Sequence, residues 1–342
     1  MTRSKLSLGE GNTPVLSLAT LAKSLGVNEI SAKAEWMNPT GSYKDRIAAA
    51  TIEHALQLGL RGWIGTSSGN GGASMSAYGA KAGLPGFLCI AADAPPEKVR
   101  SIVPYGATLL PMSQLGIAEM DAIGELAAEY RLKLSVTAYR YNPEGMSGTE
   151  SIGSELLNQG DFTHVYVPAG GGGLLVAVAR GLGGASTARL ICAQPAGCDP
   201  IVRFLNGEIT EPQIASCTST ISGLQLPAPP DGELAALAVR ESGGWGCSVS
   251  DADAWSLQDY LASKEGIFVE PASALAAAAL ANDVKSGRLP SSARPVAILT
   301  GSGLKDLRRF SSTVSSTQQS FTIDDLRRRL EAIDGNEQPS RR

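Results

Sequence analysis

Short apolar segments alternate with helical segments along most of the chain, and this alternation constrains the fold more than any other feature. Apolar strands predicted at residues 62–66 and 86–91 are each followed by a helix, the second one opening at Pro95-Pro96. The same order begins again with a strand at residues 164–167. Strand–helix–strand units of this kind form parallel sheets with helices on their faces. The sequence therefore predicts an α/β fold with two doubly wound parallel-sheet domains and a ligand in the cleft between them.

Composition and charge exclude several classes of protein. The 342 residues are 43% hydrophobic, enough for two domains around a large buried interior. The net charge is −4 without a basic run, so we expect no nucleic acid as partner. The first residues lack the apolar segment of a signal peptide, and the longest apolar run, 274–281, is too short to cross a membrane. We therefore expect a cytoplasmic protein without a membrane partner.

Cysteine and histidine are too sparse and too scattered to predict a metal site. The five cysteines have no C-x-x-C spacing, and we interpret them as reduced thiols. Only two histidines are present, so we expect neither a metal centre nor a Ser-His-Asp site.

Residues 38–46 combine turn residues with the beginning of a helical pattern. Ser42 is the predicted N-cap, with Asp45 three positions later at the spacing of a capping box. Lys44 therefore falls in the first turn of a helix, where the helix dipole favours anions over cations. One hypothesis is a solvated surface lysine, and the other is an amine that acts as a nucleophile or forms a Schiff base.

A run of four glycines, Gly170, Gly171, Gly172 and Gly173, follows the strand at 164–167 and opens a helix. Backbone N–H groups at such a position favour a phosphate. The run has neither the Lys-Ser/Thr ending of a Walker loop nor the G-x-G-x-x-G spacing of a dinucleotide site. A tight structural turn is the alternative interpretation.

Two further strand ends carry polar groups. Ser67, Ser68, Asn70 and Gly71 lie between a strand and a helix, where hydroxyl, amide and N–H groups predict a carboxylate site. Ordinary helix capping is the alternative. Thr300 ends a late strand, where a neutral hydroxyl could contact a ring nitrogen or simply form a turn.

A first-turn lysine, a carboxylate site, a phosphate site and a neutral hydroxyl together fit pyridoxal phosphate better than any nucleotide. The chain resembles pyridoxal-phosphate enzymes of the tryptophan synthase β fold (fold type II), and among them the threonine synthases. The resemblance lies in ordered segments at residues 10–14, 38–46, 67–72, 80–83, 168–174, 265–273 and 300–306.

The resemblance implies a role for each of these residues. Lys44 would bind the cofactor as a Schiff base and move the substrate proton. Asn70 would hydrogen-bond the 3-oxygen of the cofactor, the glycines at 170–173 its phosphate, and Thr300 its ring nitrogen. The implied substrate-binding residues are Ser67, Ser68, Gly71 and Thr149.

The resemblance also implies a domain arrangement and a homodimer. Residues 1–35 and 148–318 would form a large cofactor-binding domain, residues 36–147 a smaller inserted α/β domain, and residues 319–342 a C-terminal helix and tail.

Departures from the threonine synthases surround the substrate and leave the cofactor residues intact. The lysine of the family's Gln-Lys-Thr segment is missing before Thr149, residues 220–226 read closer to amino-acid dehydratases, and the usual histidine is Ser302. A lost cation matters because charge-assisted hydrogen bonds are the strong ones.

These observations predict a pyridoxal-phosphate-dependent lyase of amino-acid metabolism. It would eliminate or replace a β or γ leaving group on an amino acid, as in the conversion of O-phosphohomoserine to threonine. A serine/threonine dehydratase-like lyase and a synthase that uses another nucleophile are alternatives. A catalytically silent binding protein is a third hypothesis, and a nicotinamide dehydrogenase is disfavoured because no acidic residue follows a dinucleotide fingerprint.

Overall fold

The computed structural model describes residues 6–92, 99–310, 320 and 322–336. Contacts divide the chain into two compact units, Met1–Lys305 and Asp306–Arg342. The start of the helix expected at Pro95-Pro96 and the end of the C-terminal tail lie outside the described ranges.

Strands and helices alternate through the first unit. The strands are β1 Val15–Ser17, β2 Ser31–Ala34, β3 Gly62–Gly65, β4 Gly86–Ala91, β5 Thr108–Met112, β6 Leu132–Leu134, β7 His164–Pro168, β8 Arg189–Pro195, β9 Trp245–Val249 and β10 Pro295–Leu299. The helices are α1 Ala19–Leu25, α2 Lys44–Gln57, α3 Asn70–Ala82, α4 Ile117–Glu129, α5 Pro143–Ser147, α6 Ser151–Gln159, α7 Gly173–Leu182, α8 Pro200–Leu205, α9 Gly232–Glu241, α10 Asp251–Tyr260 and α11 Pro271–Lys285. The described part of the second unit contains α12, Ile323–Asn336.

The strands form two sheets. The larger has the order β1–β2–β10–β7–β8–β9 and is parallel except for the pairing of β1 with β2. The smaller has the order β5–β4–β3–β6 and is parallel throughout. The predicted α/β class with two largely parallel sheets is confirmed.

Both sheets reverse their direction of winding at one point. In the large sheet, β7 leads through β8 to β9 on one side, while β10 pairs with the other side of β7. In the small sheet, β3 leads through β4 to β5, while β6 pairs with its other side. A crevice opens at the carboxyl ends of strands where the order reverses. The loops after β3, β7 and β10 carry the predicted site residues at 67–71, at 170–173 and at 300, whereas Lys44 follows β2 and Thr149 follows α5.

The apolar pattern explains how the sheets are covered. Helix α11 is rich in alanine and buried along most of its length, so it packs closely against the large sheet. Pro271 occupies its first position, where the missing N–H is no loss. None of the helices in the described part of the chain is long and apolar enough to cross a lipid bilayer.

The structure differs from the cysteine interpretation at two positions. A disulfide joins Cys198 to Cys217, whereas Cys89, Cys192 and Cys247 are buried thiols. The two paired residues are 19 positions apart, a separation that carries no motif. Beside them, the N–H group of Thr218 donates to the carbonyl oxygen of Gly197 at 2.8 Å and joins the two segments.

We expect this pairing to be visible in a thiol count. Protein denatured without reductant should react with a thiol reagent at Cys89, Cys192 and Cys247, and after reduction at all 5 cysteines. Five reactive thiols before reduction would contradict the disulfide, and a Cys198→Ser/Cys217→Ser variant provides the matched control.

Candidate active site

The segment that carries Lys44 is joined to the end of β10 by backbone hydrogen bonds. The N–H group of Tyr43 donates to the carbonyl oxygen of Thr300 at 3.0 Å, and that of Ser302 donates to Gly41 at 2.9 Å. Lys44 is half-buried at the first position of α2, with its Nζ atom 4.6 Å from the ring centroid of Tyr43. The amine therefore lies beside the carboxyl edge of the large sheet.

The predicted capping box at this helix is wrong. Tyr43 occupies the N-cap position, and the hydroxyl oxygen of Ser42 is buried without a hydrogen-bond partner among the described residues. Asp45 instead accepts hydrogen bonds from the N–H and hydroxyl groups of Thr40, both at 2.6 Å. Burial raises the pKa of Asp45, although the contacts with Thr40 oppose this shift. The carboxylate thus holds the turn before Lys44 and does not cap the helix.

The four glycines form a loop packed tightly on one side. Gly172 has a φ of +88°, and a Cβ atom there would lie 2.7 Å from the carbonyl oxygen of Asp231. Added Cβ atoms at Gly170 and Gly173 would lie within 2.8 Å of neighbouring atoms. Packing therefore requires three of the four glycines, so their number alone does not indicate a phosphate.

The unpaired N–H groups of this loop indicate an anion site better than the number of glycines does. No described residue accepts a hydrogen bond from the N–H groups of residues 171–175, although the loop is largely buried. Buried N–H groups are nearly always paired, so several adjacent unpaired ones at the beginning of a helix indicate an anion site.

Asp231 packs against Gly172 and Gly173 of this loop, and no motif in the sequence indicates a role for it. Its carboxylate accepts hydrogen bonds from the N–H groups of Tyr139 at 2.9 Å and Arg140 at 3.2 Å. Burial raises the pKa of Asp231, opposed by these two N–H groups and by the charges of Arg180 and Lys44. The side chain thereby links the glycine loop to the chain after β6.

The second predicted anion site lies at the beginning of α3. The hydroxyl group of Ser67 lies 3.4 Å from the N–H group of Gly69, and a Cβ atom on Gly71 would lie 3.1 Å from the same hydroxyl. No described residue accepts a hydrogen bond from the N–H groups of Gly71 and Gly72. Ser68 lies half-buried in the same turn. Hydroxyl and N–H donors thus converge at one helix N-terminus.

Asn70 is the first residue of α3 and contacts two charged side chains. Its Nδ2 atom donates to Glu270 at 2.8 Å, and its Oδ1 atom accepts from the Nζ atom of Lys305 at 2.8 Å. Burial lowers the pKa of Lys305, while Glu270 and Asp45 attract its charge and oppose the shift. Both charged residues lie in the segments that resemble the family, but their contact with Asn70 was not predicted from the sequence.

Thr300 is buried, and its hydroxyl group lies 2.9 Å from that of Ser273 in α11. Ser273 also accepts a hydrogen bond from the N–H group of Gly301 at 2.8 Å and lies 3.2 Å from the carbonyl oxygen of Gly301. A hydroxyl group has one proton, so Ser273 donates either to Thr300 or to Gly301. When it donates to Thr300, the proton of Thr300 is available to an acceptor in the site.

Thr149 lies in a short helical turn, Gly148–Glu150, that follows α5. It is buried, and its hydroxyl group donates to the carbonyl oxygen of Met146. The Cε atom of Met146 lies 2.7 Å from the position of a Cβ atom on Gly173. Thr149 therefore reaches the glycine loop through Met146.

These residues fit pyridoxal phosphate. An amine can bind its aldehyde carbon, unpaired N–H groups at residues 171–175 can bind its phosphate, and the hydroxyl group of Thr300 can contact its ring nitrogen.

Comparison with known proteins agrees with this fit. The family model of pyridoxal-phosphate dependent enzymes matches residues 6–301. A threonine synthase of Methanosarcina acetivorans is 32% identical over 318 residues, which cover 89% of this chain and 77% of the relative. A threonine synthase of Halalkalibacterium halodurans is 31% identical and covers 90% of this chain and 87% of the relative.

Solved structures with the same fold include maize serine racemase, with a TM-score of 0.77, 23% identity and coverage of 90% and 92% of the two chains. Threonine deaminase isoform 2 from Solanum lycopersicum has a TM-score of 0.76, 20% identity and coverage of 89% and 83%. At this level of identity the similarity establishes the fold.

Proposed function

Because the chain belongs to the pyridoxal-phosphate dependent enzymes, we propose that it eliminates or replaces a leaving group on an amino acid, with threonine synthase as the nearest reaction. The observation that carries this proposal is the position of Lys44. Backbone hydrogen bonds hold its helix against Thr300, at the same sheet edge as the glycine loop with unpaired N–H groups.

Different residues would bind different parts of the cofactor. The N–H groups of residues 171–175 would hold the phosphate, Asn70 would donate to the 3-oxygen and Thr300 would contact the ring nitrogen. The bound cofactor supplies an electron sink that acidifies the substrate's α-proton. Lys44 would take and return that proton at its Nζ atom, a role that typically contributes about 10² to 10⁴ in rate.

The substrate carboxylate would bind at the beginning of α3. The hydroxyl groups of Ser67 and Ser68 and the N–H group of Gly71 are donors at a helix N-terminus, which favours an anion. This contact would fix the α-carbon relative to Lys44. We propose that Thr149 contributes through Met146, which packs against the glycine loop.

The leaving group is where a second candidate function has support. The family's lysine before Thr149 is absent, so an anionic leaving group would lack the charge-assisted hydrogen bond that this cation supplies. This favours an uncharged leaving group, as in a serine/threonine dehydratase-like lyase or a synthase that uses another nucleophile.

Product analysis separates these reactions. Purified enzyme should be yellow and should be incubated with O-phosphohomoserine and, separately, with serine, threonine and their O-acyl forms. Threonine with free phosphate identifies a threonine synthase, a keto acid with ammonia identifies a dehydratase, and a new amino acid formed only with an added nucleophile identifies a replacement synthase. We expect turnover of at least one substrate, and no turnover of any would contradict the proposal.

We also propose a homodimer in the cytoplasm, with residues 36–147 as an inserted domain between two parts of a larger one. All strands of the small sheet fall between Gly62 and Leu134, which supports this division.

An amino-acid substrate and three buried thiols fit a reducing compartment, whereas the Cys198–Cys217 disulfide favours an oxidising one. Light scattering tests the subunit number, and cell fractionation tests the compartment.

A further inference from the structure

We propose that Glu270 and Lys305 are positioning residues that lock the side-chain amide of Asn70 in one orientation, so that its NH2 group and not its carbonyl oxygen is offered to the cofactor's 3-oxygen. We refer to Asn70, Glu270 and Lys305 as the amide triad. The inference rests on the proposed function, because it concerns how this chain presents a donor to that cofactor.

The chemistry of the two charged groups determines the orientation. An ammonium group only donates hydrogen bonds, so the atom of Asn70 that lies 2.8 Å from Lys305 Nζ must be the carbonyl oxygen. An ionised carboxylate only accepts, so the atom 2.8 Å from Glu270 Oε2 must be the NH2 group. The two ends of a side-chain amide have nearly the same shape, so hydrogen-bond partners decide its orientation. A flip of 180° would cost Asn70 both contacts. In the observed orientation its second N–H remains available to a ligand.

Two neighbouring glycines, Gly301 and Gly41, leave the space in which the side chains of the amide triad pack. A Cβ atom on Gly301 would lie 2.3 Å from Glu270 Oε2 and 3.1 Å from Asn70 Nδ2, so only glycine lets the carboxylate and the amide meet. On the other side, a Cβ atom on Gly41 would lie 3.6 Å from the Cε atom of Lys305. Gly41 and Gly301 belong to the segments that hold Lys44, so the triad and the amine share one support.

The charges of the triad also set the electrostatic environment of the site. Lys305 is attracted by Glu270 and by Asp45, and burial lowers its pKa. One cation and one anion on opposite sides of Asn70 largely cancel at the amide. Removal of either charge alone changes the net charge around the amide by one unit in a partly buried site, where charges are weakly screened.

Three variants test the inference: Lys305→Met, Glu270→Gln and the double variant. The readout is the pH midpoint of the visible absorption change of bound pyridoxal phosphate, whose protonated chromophore carries an extra positive charge. Lys305→Met should raise the midpoint by about one pH unit because Glu270 then favours the protonated form. Glu270→Gln should lower it by about the same amount, and the double variant should return close to wild type.

Cofactor affinity gives a second readout. Titration of the apoenzyme with pyridoxal phosphate should give a Kd raised about tenfold in Lys305→Met, because a freely flipping amide loses one oriented hydrogen bond. Lys305→Arg, which keeps a charged donor, should restore most of the affinity. The exposed residues Lys285 and Glu241 provide the controls Lys285→Gln and Glu241→Gln, which should change neither readout.

The outcomes separate this inference from the proposed function. If borohydride reduction fails to attach the cofactor to Lys44 in the wild-type protein, the proposed function itself is wrong. If Lys44 is labelled but both single variants move the midpoint in the same direction, or neither moves it, the amide triad does not orient Asn70. Equal affinities for Lys305→Met and wild type would overturn the inference as well.

Discussion

Replacement of Lys44 by alanine should give a colourless protein whose turnover falls by about 10² to 10⁴ from the lost proton transfer alone. Loss of the covalent bond to the cofactor should add to this decrease. These effects are expected because Lys44 supplies the amine of the site. The backbone hydrogen bond between Tyr43 and Thr300 holds this residue at the first position of α2. Visible absorbance and steady-state kinetics measure the two effects.

The control must remove a lysine without removing the amine from the site. Lys264 is exposed in the turn that follows α10, so Lys264→Ala should remain yellow and active. Borohydride reduction followed by peptide mapping should place the pyridoxyl label on the peptide that contains Lys44. A label on any other lysine would show that the site has been assigned to the wrong segment.

The α/β class could be predicted because parallel strands and the helices that follow them leave a local pattern in the sequence. Strand β7 is an apolar run followed by glycines, and this order needs no long-range information. Strand β9 and helix α9 were not predicted. Trp245–Val249 contains a glycine and a serine, and it becomes a strand by pairing with β8 at the edge of the sheet. Tertiary context therefore decided what local propensity could not.

Side-chain contacts within the site could not be predicted from local sequence patterns either. The spacing of Ser42 and Asp45 matches a capping box, but Asp45 bonds to Thr40 because the preceding turn brings that residue closer. The contacts of Asn70 with Glu270 and Lys305 span 200 and 235 positions. No local pattern can indicate such contacts. The glycine loop was found from sequence, yet packing against Asp231 and Met146 explains much of its composition.

A buried network of charged side chains joins α2, the helix that begins at Lys44, to β2 and α6. The guanidinium group of Arg46 donates to Glu35 at 2.7 Å and 2.9 Å, and to Glu155 at 2.5 Å and 2.9 Å. Lys33 donates to Glu155 at 2.6 Å and to the carbonyl oxygen of Thr13 at 2.7 Å. The exposed fractions of the side chains are 2% for Arg46, 0% for Glu35 and 14% for Glu155. Two cations therefore balance two anions in the interior.

Arg46→Met should lower the free energy of unfolding by about 3 to 5 kcal/mol, because Glu35 is left buried without its cation. Denaturant unfolding followed by circular dichroism measures this loss. Adding Glu35→Gln to Arg46→Met should recover a large part of it, since the penalty comes from an uncompensated charge. Arg203 pairs with Glu208 at the surface, so Arg203→Ala should cost at most about 1 kcal/mol. A loss below about 1 kcal/mol for Arg46→Met would contradict the role of the network.

The free energy of unfolding that Arg46→Met loses should depend on pH, and the pKa of Glu155 determines the direction of this dependence. Burial would raise the pKa of Glu155, but hydrogen bonds and charge from Arg46 and Lys33 outweigh it and bring the pKa to about 2, from an ordinary value of 4.5. A depressed carboxylate pKa stabilises the fold fully above the ordinary value and loses that contribution as pH falls towards 2. The difference in unfolding free energy between wild type and Arg46→Met should therefore be constant near neutral pH. It should shrink as pH falls below about 4.5, because protonation of Glu155 removes one of the charges that Arg46 pairs. A difference that stays constant or grows in this range would assign the stabilisation to packing of the arginine stem and not to its charge.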